Sequence, residues 1–117
     1  MGRNEATTRA EIPPGTLYML ILKTLARLGP MHGYGIAQYI QQTSEDVLQV
    51  EEGSLYPALQ RLLKEELVKA EWSISSTNRR VRVYKVTAKG ATHLEHEVSR
   101  FEKMLEGITR VLAPGER

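Results

Sequence analysis

The most regular hydrophobic pattern in the chain lies between residues 54 and 64. Apolar residues recur there at steps of three and four, which places them on one stripe of an α-helix. They are Leu55, Ala58, Leu59, Leu62 and Leu63. The opposite face has no acid, and its members are Ser54, Tyr56, Pro57, Gln60, Arg61 and Lys64. The pattern predicts a helix with one buried and one outward face. Pro57 is expected in or near the first turn, where a missing N–H is tolerated.

Two helices are predicted before this one. Residues 16–28 are apolar nearly all round, and Gly29 and Pro30 end the pattern. Such a helix needs cover on more than one side, which one small domain hardly supplies, so a partner subunit is expected to provide it. A shorter helix is predicted over residues 32–42. Gly35 indicates a close backbone approach there, because glycine weakens a helix interior by about 1 kcal/mol.

Beyond residue 67 the apolar residues alternate with polar ones, the period of a half-buried β-strand. The apolar positions are Val68, Ala70, Trp72 and Ile74. Residues 75–78 favour a turn, and residues 80–86 have the composition of a second strand. The segment therefore predicts a β-hairpin. Its tip carries Arg79, Arg80 and Arg82.

The C-terminal segment shows a heptad pattern. Between residues 88 and 112, apolar residues follow one another at alternating steps of three and four. They are Ala91, Leu94, Val98, Phe101, Leu105, Ile108 and Leu112. Thr87 is placed to cap this helix. Because the helix follows a complete domain core, its apolar seam is expected to pack on another chain. Folding back on its own domain is the alternative.

The first 13 residues are polar, lack apolar periodicity and end in two prolines. These features predict a mobile arm. Arg3 and Arg9 are placed to touch nucleic acid, but a tail without contacts is the simpler interpretation.

Composition narrows the class of protein. The 117 residues fit one domain. Because the chain has no cysteine, disulfides, thiolate metal cages and thiol nucleophiles are excluded, in agreement with a reducing cytosol. No stretch is long and apolar enough for a membrane span, and no signal-peptide core is evident. A soluble, cytoplasmic protein is expected.

The charges are unevenly distributed although the net charge is only +2. Residues 53–92 contain eight basic side chains and three acidic ones, a pattern typical of polyanion binders. The polar face of the helix over residues 54–64 also suits DNA. Gln and Arg can form paired hydrogen bonds with bases, and Lys neutralises phosphate. An ordinary amphipathic helix with a solvated face is the alternative.

A hairpin with a cationic tip beside such a helix is typical of the wing in a winged helix-turn-helix. The wing lies on the phosphate backbone or in a minor groove. Arginines that only protect an exposed strand edge are the alternative interpretation.

Little in the chain indicates catalysis. His93, His96 and Glu97 lie within one helical turn, and this spacing can place metal ligands on one face. No third partner motif and no cysteine accompany them, so solvated surface histidines are the better interpretation. Nucleophile elbows and glycine-rich phosphate loops are also missing from the sequence. We expect no enzyme, no metal and no cofactor.

The chain resembles the PadR family of bacterial transcriptional regulators, in the subgroup with one helix after the wing. The resemblance covers residues 15 to about 112, with four motifs in the expected order. The motifs are Gly15-Thr16-Leu17 with Leu20-Ile21-Leu22, Gly29-Pro30-Met31-His32-Gly33-Tyr34-Gly35-Ile36, Gly53-Ser54-Leu55-Tyr56-Pro57-Ala58-Leu59 with Arg61-Leu62, and Arg82, Tyr84 and Thr87 with Gly90.

The resemblance implies a homodimeric repressor that binds inverted-repeat operators and builds its dimer from the first and last helices. In some relatives an aromatic or phenolic ligand near the dimer interface releases the DNA. By position, Tyr34, Ser54, Tyr56, Gln60, Arg61 and the hairpin arginines would contact DNA. The chain departs from the family at Glu66, where relatives usually have a helix-ending glycine. It also has no tryptophan in the last helix, which leaves Phe101 and Tyr18 as the aromatics for a ligand pocket.

The expected fold class is mostly α with a β-hairpin, a winged helix-turn-helix plus a long C-terminal dimerisation helix. The expected divisions are an arm over residues 1–13, a DNA-binding domain over 14–87 and a dimerisation helix over 88–113. The predicted DNA contacts are Tyr34, Ser54, Tyr56, Pro57, Gln60, Arg61, Lys64, Arg79, Arg80 and Arg82. The predicted dimer contacts are Leu17, Leu20, Ile21, Leu94, Val98, Phe101, Leu105, Ile108 and Leu112.

The predicted partners are double-stranded DNA with an inverted repeat, a second copy of the chain, and a small effector molecule. Two alternatives remain. A winged helix used for protein–protein contact would have negligible affinity for duplex DNA. An enzyme or metal sensor would depend on His93 and His96.

Overall fold

The computed structural model describes residues 12–113, which form four helices and one three-stranded sheet. The helices are α1 (Pro14–Leu28), α2 (Gly33–Thr43), α3 (Glu52–Lys64) and α4 (Ala88–Leu112). The strands are β1 (Met31–His32), β2 (Val68–Ile74) and β3 (Arg80–Val86). The mostly helical architecture with a hairpin is confirmed. The arm predicted over residues 1–13 lies almost wholly outside the described residues, but Ile12 packs against the core.

The sheet is antiparallel, with the strand order β1-β3-β2. Strands β2 and β3 form the predicted hairpin and pair from Val68 opposite Val86 to Ile74 opposite Arg80. Strand β1 pairs Met31 with Tyr84. The sequence pattern does not predict β1, because two residues are too few to show a period of two.

Helix α1 lies at the centre of the molecule. It packs on α2, α3, α4 and β3, and Ile21, Leu22 and Leu25 are almost completely buried. Thr24 is buried as well, and its hydroxyl donates a hydrogen bond to the Leu20 carbonyl at 2.8 Å. The chain's own elements therefore supply most of the cover that the sequence pattern assigns to a partner subunit. Periodicity shows that a helix needs cover, but it does not show which distant segments return to provide it.

The enclosure of α1 includes two residues that the sequence assigns to a dimer interface. The sequence places Leu17 and Ile21 at that interface, but the structure buries both inside the single chain. Their side chains stabilise the core of the single chain. Leu20 is only half-buried and remains at the surface.

Helix α4 divides into two halves with different surroundings. Leu94 is buried, and Val98 and Phe101 pack partly against the core formed with α1. The first half of the seam therefore follows the folding-back alternative. Leu105, Ile108 and the rest of the second half are exposed. The second half has no cover within the described chain.

The start of α4 is tightly fixed. Thr87 caps it as predicted, because its hydroxyl oxygen accepts a hydrogen bond from the Gly90 N–H at 2.9 Å. The same hydroxyl donates to the Glu66 carbonyl at 2.8 Å. A Cβ at Gly90 would lie 2.0 Å from the Leu67 carbonyl oxygen. Glycine is therefore required where α4 crosses the start of β2.

Helix α3 begins at Glu52, two residues before the start of the predicted segment. Pro57 consequently lies at the start of the second turn, next to the first turn, which the expectation of a position in or near the first turn allows. Its ring nitrogen donates no hydrogen bond to the carbonyl four residues earlier, that of Gly53. Gly53 is exposed, so solvent can satisfy this carbonyl, and the helix continues through the proline to Lys64.

Candidate nucleic-acid interface

The outward face of α3 is built by the burial of its inward stripe. Leu55, Ala58, Leu59 and Leu62 are each at most 4% exposed, which fixes the rotation of the helix about its axis. All six polar-face residues predicted to contact DNA are exposed: Ser54, Tyr56, Pro57, Gln60, Arg61 and Lys64. Leu63 is only half-buried because it lies at the edge of the inward stripe.

The middle of this outward face carries Gly53, Pro57, Gln60 and Lys64, which follow at steps of four, three and four. Neither Gly53 nor Pro57 has a long side chain. Gln60 and Lys64 are therefore the long polar side chains of this row, and both are exposed. Within residues 12–113, Lys64 forms no ion pair, so its ammonium group is available to an anion.

One edge of the outward face joins α3 to the start of α2. The Tyr56 ring lies on the backbone of Gly33, where a Cβ would approach its Cε1 and Oη atoms to 2.9 Å. The side chain of His32 caps α2 by accepting a hydrogen bond from the Gly35 N–H at 3.1 Å. The neighbouring Tyr34 stacks on His32 with ring centroids 6.4 Å apart. Tyr34 and Tyr56 thereby line one cleft of about 480 Å³ between α2 and α3.

The other edge carries Arg61, which differs from Gln60 and Lys64. Its Nε donates a hydrogen bond to Glu65 Oε2 at 2.5 Å. This hydrogen bond raises the pKa of the Arg61 guanidinium and lowers the pKa of the Glu65 carboxyl group. Both side chains are about half exposed, so solvent screens the pair and it contributes little to stability. An anion that binds Arg61 must share it with Glu65.

The hairpin carries the remaining predicted contacts. Arg79, Arg80 and Arg82 are exposed, and none of them forms an ion pair with a residue in the described range. The guanidinium carbon of Arg80 lies 4.4 Å from the centroid of the Trp72 ring, and that of Arg82 lies 5.8 Å from it. The three arginines form the cationic end of the hairpin.

Trp72 and Ile74 are more exposed than the sequence predicts. The alternation indicates a half-buried strand throughout, but only Val68 and Ala70 at the base are covered. Trp72 is 56% exposed and Ile74 is 63% exposed. The period of two identifies the inward face of a strand, but it does not show where the hairpin extends beyond the core. Trp72 was not among the predicted contacts. Only the folded structure shows that its indole is exposed and lies beside two arginines, which makes it a candidate contact residue.

The predicted dimer residues fall into three groups. Leu17, Ile21 and Leu94 are buried in the single chain, Leu20, Val98 and Phe101 are half-buried, and Leu105, Ile108 and Leu112 are exposed. Met104 and Val111 are also exposed and widen the apolar surface of the second half of α4. The heptad pattern does not include these two residues, because they lie beside the positions that repeat at steps of three and four.

The histidines on α4 do not assemble a metal site with other described residues. His93 Nε2 lies 3.8 Å from Glu97 Oε2. Arg100 occupies the same carboxylate at 2.7 Å. Among residues 12–113, no group of three or more His, Cys, Asp or Glu side chains is arranged to hold a metal ion. No helix in that range has the length and apolar character needed to cross a membrane.

Comparisons with known proteins point to one family. Residues 21–96 match the family described as transcriptional regulator PadR-like. A protein of Lysinibacillus sphaericus, described as uncharacterized, is 29% identical over 100 residues, which cover 86% of this chain and 91% of the relative.

Solved structures with the same fold include two bacterial regulators. The structure of a transcriptional regulator from Clostridium thermocellum matches with a TM-score of 0.75 and 25% identity, covering 82% of this chain and 92% of the other. A PadR family transcription regulator from Clostridium difficile matches with a TM-score of 0.72 and 27% identity, covering 83% of this chain and 98% of the other.

Proposed function

The chain belongs to the PadR-like family of transcriptional regulators, and from this membership we propose that it is a homodimeric repressor that binds a specific duplex operator. One observation carries the proposal. The exposed face of α3 has no acid between Gly53 and Lys64. The hairpin of the same chain carries three arginines that have no ion-pair partner among the described residues. A helix for the major groove and a cationic wing for the backbone are the two parts of winged-helix DNA recognition.

Each predicted contact has a role that matches its chemistry. The Gln60 amide can donate to and accept from an adenine edge, and Lys64 can reach guanine or a phosphate. Ser54, Tyr56 and Tyr34 carry hydroxyl groups at the margins of the interface, where they would donate to phosphates and set the register on the duplex. Arg61 would contact phosphate after partial release from Glu65.

The dimer would form through the exposed half of α4. Its apolar side chains would pack on the same surface of a second copy, which a two-fold axis allows because one surface can contact itself. The two α3 helices would then read half-sites about one turn of DNA apart.

A small effector has a candidate location near this interface. A cavity of about 230 Å³ lies between the start of α1 and the middle of α4, where Met19 and Phe101 provide apolar walls and the Arg100–Glu97 ion pair provides a polar one. We propose that a small aromatic ligand binds there and releases the DNA. Saturating the protein with the ligand should then weaken operator affinity. Phe101→Ala should make this weakening by the ligand smaller, while operator affinity without ligand should change less.

Charge reversal tests the DNA-binding proposal. The operator is first selected from a randomised duplex pool, and its affinity is then measured at several salt concentrations. Lys64→Glu combined with Arg80→Glu should weaken binding at least tenfold and reduce the salt slope by about four, because each of the two subunits loses two cations that face the DNA.

A charge-matched control is Lys23→Glu combined with Lys103→Glu, since both lysines are exposed on other helices. The control should bind nearly as the parent does. If no duplex is selected, or if Lys64→Glu with Arg80→Glu keeps the affinity and salt slope of the parent, the proposed function is wrong.

A further inference from the structure

Trp72 is the only tryptophan in the sequence, and its indole projects from the hairpin with 56% of its surface exposed. One exposed apolar side chain is ordinary, but two that adjoin one another form an apolar patch, and such patches often mark contact sites. Its neighbour on the same face, Ile74, is also exposed. The end of the hairpin therefore presents an apolar surface that the core does not use.

The register of the hairpin places the cations on the same face. Trp72 pairs with Arg82 and Ile74 pairs with Arg80, and directly opposed residues in antiparallel strands share a face. Glu71, the nearest acid in sequence, points to the opposite face because side chains alternate along a strand. The Trp72 face thus combines an indole, an isoleucine and two arginines that lack acid partners among residues 12–113.

The indole holds the two arginines in position. Both guanidinium carbons lie within 6 Å of the ring centroid, the range of cation–π attraction. A guanidinium group that lies against a ring keeps its N–H groups at the rim, where they remain available to acceptors. Trp72 therefore restricts the rotamers of Arg80 before any ligand binds, which lowers the entropy lost on binding.

We propose that Trp72 is a DNA-contacting and positioning residue, which directs Arg80 into the minor groove beside the α3 site while the indole packs on the deoxyribose wall. This inference rests on the proposed function, because it assigns a further contact in the same complex. It names a specific surface of the DNA, the minor groove of an A·T-rich flank.

The mixture of groups favours the minor groove over phosphates alone. A narrow minor groove has apolar sugar walls and an enhanced negative potential that attracts arginine. Bare arginines would be sufficient for phosphates, whose charged oxygens offer no apolar wall for the indole to contact. A protein partner with an acidic and apolar surface would suit the same groups, and the experiment below distinguishes it.

The first measurement uses the fluorescence of Trp72, which is free of other tryptophan signals. Addition of the selected duplex should protect the indole from acrylamide quenching. Replacing adenine by 2,6-diaminopurine in the A·T flank adds an amino group to the minor groove and leaves the major-groove groups unchanged. This replacement should weaken binding of the parent about fivefold, the loss expected when an arginine contact of this kind is blocked.

The second measurement is a double-mutant cycle. Trp72→Ala and Arg80→Ala should each weaken binding about fivefold, and the double variant should lose clearly less than the roughly 25-fold product of two independent effects, because part of the effect of the indole acts through Arg80. Trp72→Phe should restore part of the affinity. Ser73→Ala, on the opposite face of the same strand, is the matched control and should bind as the parent does. Trp72→Ala should also lose the sensitivity to diaminopurine.

The outcomes separate the two proposals. If the parent binds no duplex even at low salt, the proposed function and this inference both fail, and a protein partner becomes the alternative for this face. If the parent binds DNA while acrylamide still quenches Trp72 and Trp72→Ala matches Ser73→Ala, only the inference fails. Protection of Trp72 without any effect of diaminopurine would overturn the minor-groove assignment and leave a contact with the backbone.

Discussion

Glu66 occupies a backbone position that glycine usually fills. Its φ is +62°, and it follows the end of α3. The Leu67 N–H donates to the Leu62 carbonyl at 2.9 Å, and the Glu66 N–H donates to the Leu63 carbonyl at 3.0 Å. This pair of hydrogen bonds defines a Schellman motif, whose left-handed residue is glycine in most helices. The glutamate at this position therefore adopts the same left-handed backbone conformation that a glycine would adopt there.

Replacing Glu66 by glycine should stabilise the protein. A side chain in the left-handed region is disfavoured by roughly 1 kcal/mol, so Glu66→Gly should raise the free energy of unfolding by about that amount. Urea denaturation measures the change. The control is Glu65→Gly, because Glu65 has an ordinary φ of −88° and gains nothing from glycine. Equal effects of the two substitutions would contradict the strain argument.

Individual side chains on α3 also differ in availability. Lys64 is free of ion pairs among the described residues, whereas Arg61 is engaged by Glu65. Both are exposed cations in the sequence pattern. Only the side-chain geometry separates the cation that has an acidic ion-pair partner from the one that has none among the described residues.

At the scale of elements, close backbone approaches decide how the helices are held. Gly33 provides the surface on which the Tyr56 ring of α3 lies, and Gly90 provides the crossing of α4 over Leu67. The two differ in what an added methyl group would meet. At Gly33 it would meet the far end of an exposed side chain, which can move, whereas at Gly90 it would meet a backbone carbonyl.

Gly90→Ala should therefore be strongly destabilising. The methyl group would lie 2.0 Å from the Leu67 carbonyl oxygen, and relief requires a shift of α4, with a loss of about 1–3 kcal/mol typical of overpacking. Thermal unfolding followed by circular dichroism measures the change.

The control for this prediction is Gly53→Ala. Gly53 is also helical, but no atom lies within 4 Å of its added Cβ. This control should stabilise the protein by roughly 0.5–1 kcal/mol through helix propensity. A Gly90→Ala protein as stable as the parent would show that α4 can shift without loss.

The whole molecule is more extended than a compact domain of its size. Its radius of gyration is 16.4 Å, whereas a compact domain of about 100 residues has one of about 13 Å. The principal extents are 56 × 38 × 21 Å. The larger radius comes from two elements that project beyond the core, namely the second half of α4 and the end of the hairpin. Both projections carry exposed apolar side chains, and both are the surfaces to which the proposals above assign partners.

A charge in the α4 surface tests whether the partner is a second copy. Ile108→Asp should convert the protein to a monomer in sedimentation experiments, because an aspartate would be buried without a partner at the apolar contact. It should also weaken operator binding, since the two half-sites would no longer be bound together.

Ser99→Asp adds the same charge at an exposed position on the opposite side of α4 and should leave the oligomeric state unchanged. A dimer that survives Ile108→Asp would show that this part of α4 is not the interface. A monomeric parent at micromolar concentration would contradict the homodimer itself.

Much of the architecture can be predicted from local patterns. The apolar stripe of α3, the alternation in β2, the cap at Thr87 and the heptad seam of α4 each predict the correct element. The α3 positions that face outward follow as well, because one buried stripe determines the opposite face of a helix. The departure at Glu66 is also visible in the sequence.

Tertiary structure alone decides which apolar faces find cover. The chain encloses Leu17 and Ile21, covers the first half of the α4 seam, and leaves Ile108 and Trp72 exposed. Periodicity cannot distinguish these cases, because it describes the direction of a side chain relative to its own element and contains no information on where distant elements pack. The sequence by itself therefore determined the elements and their two-faced character. The packing of α1 among its neighbours determined how far the core extends, and hence which surfaces remain exposed.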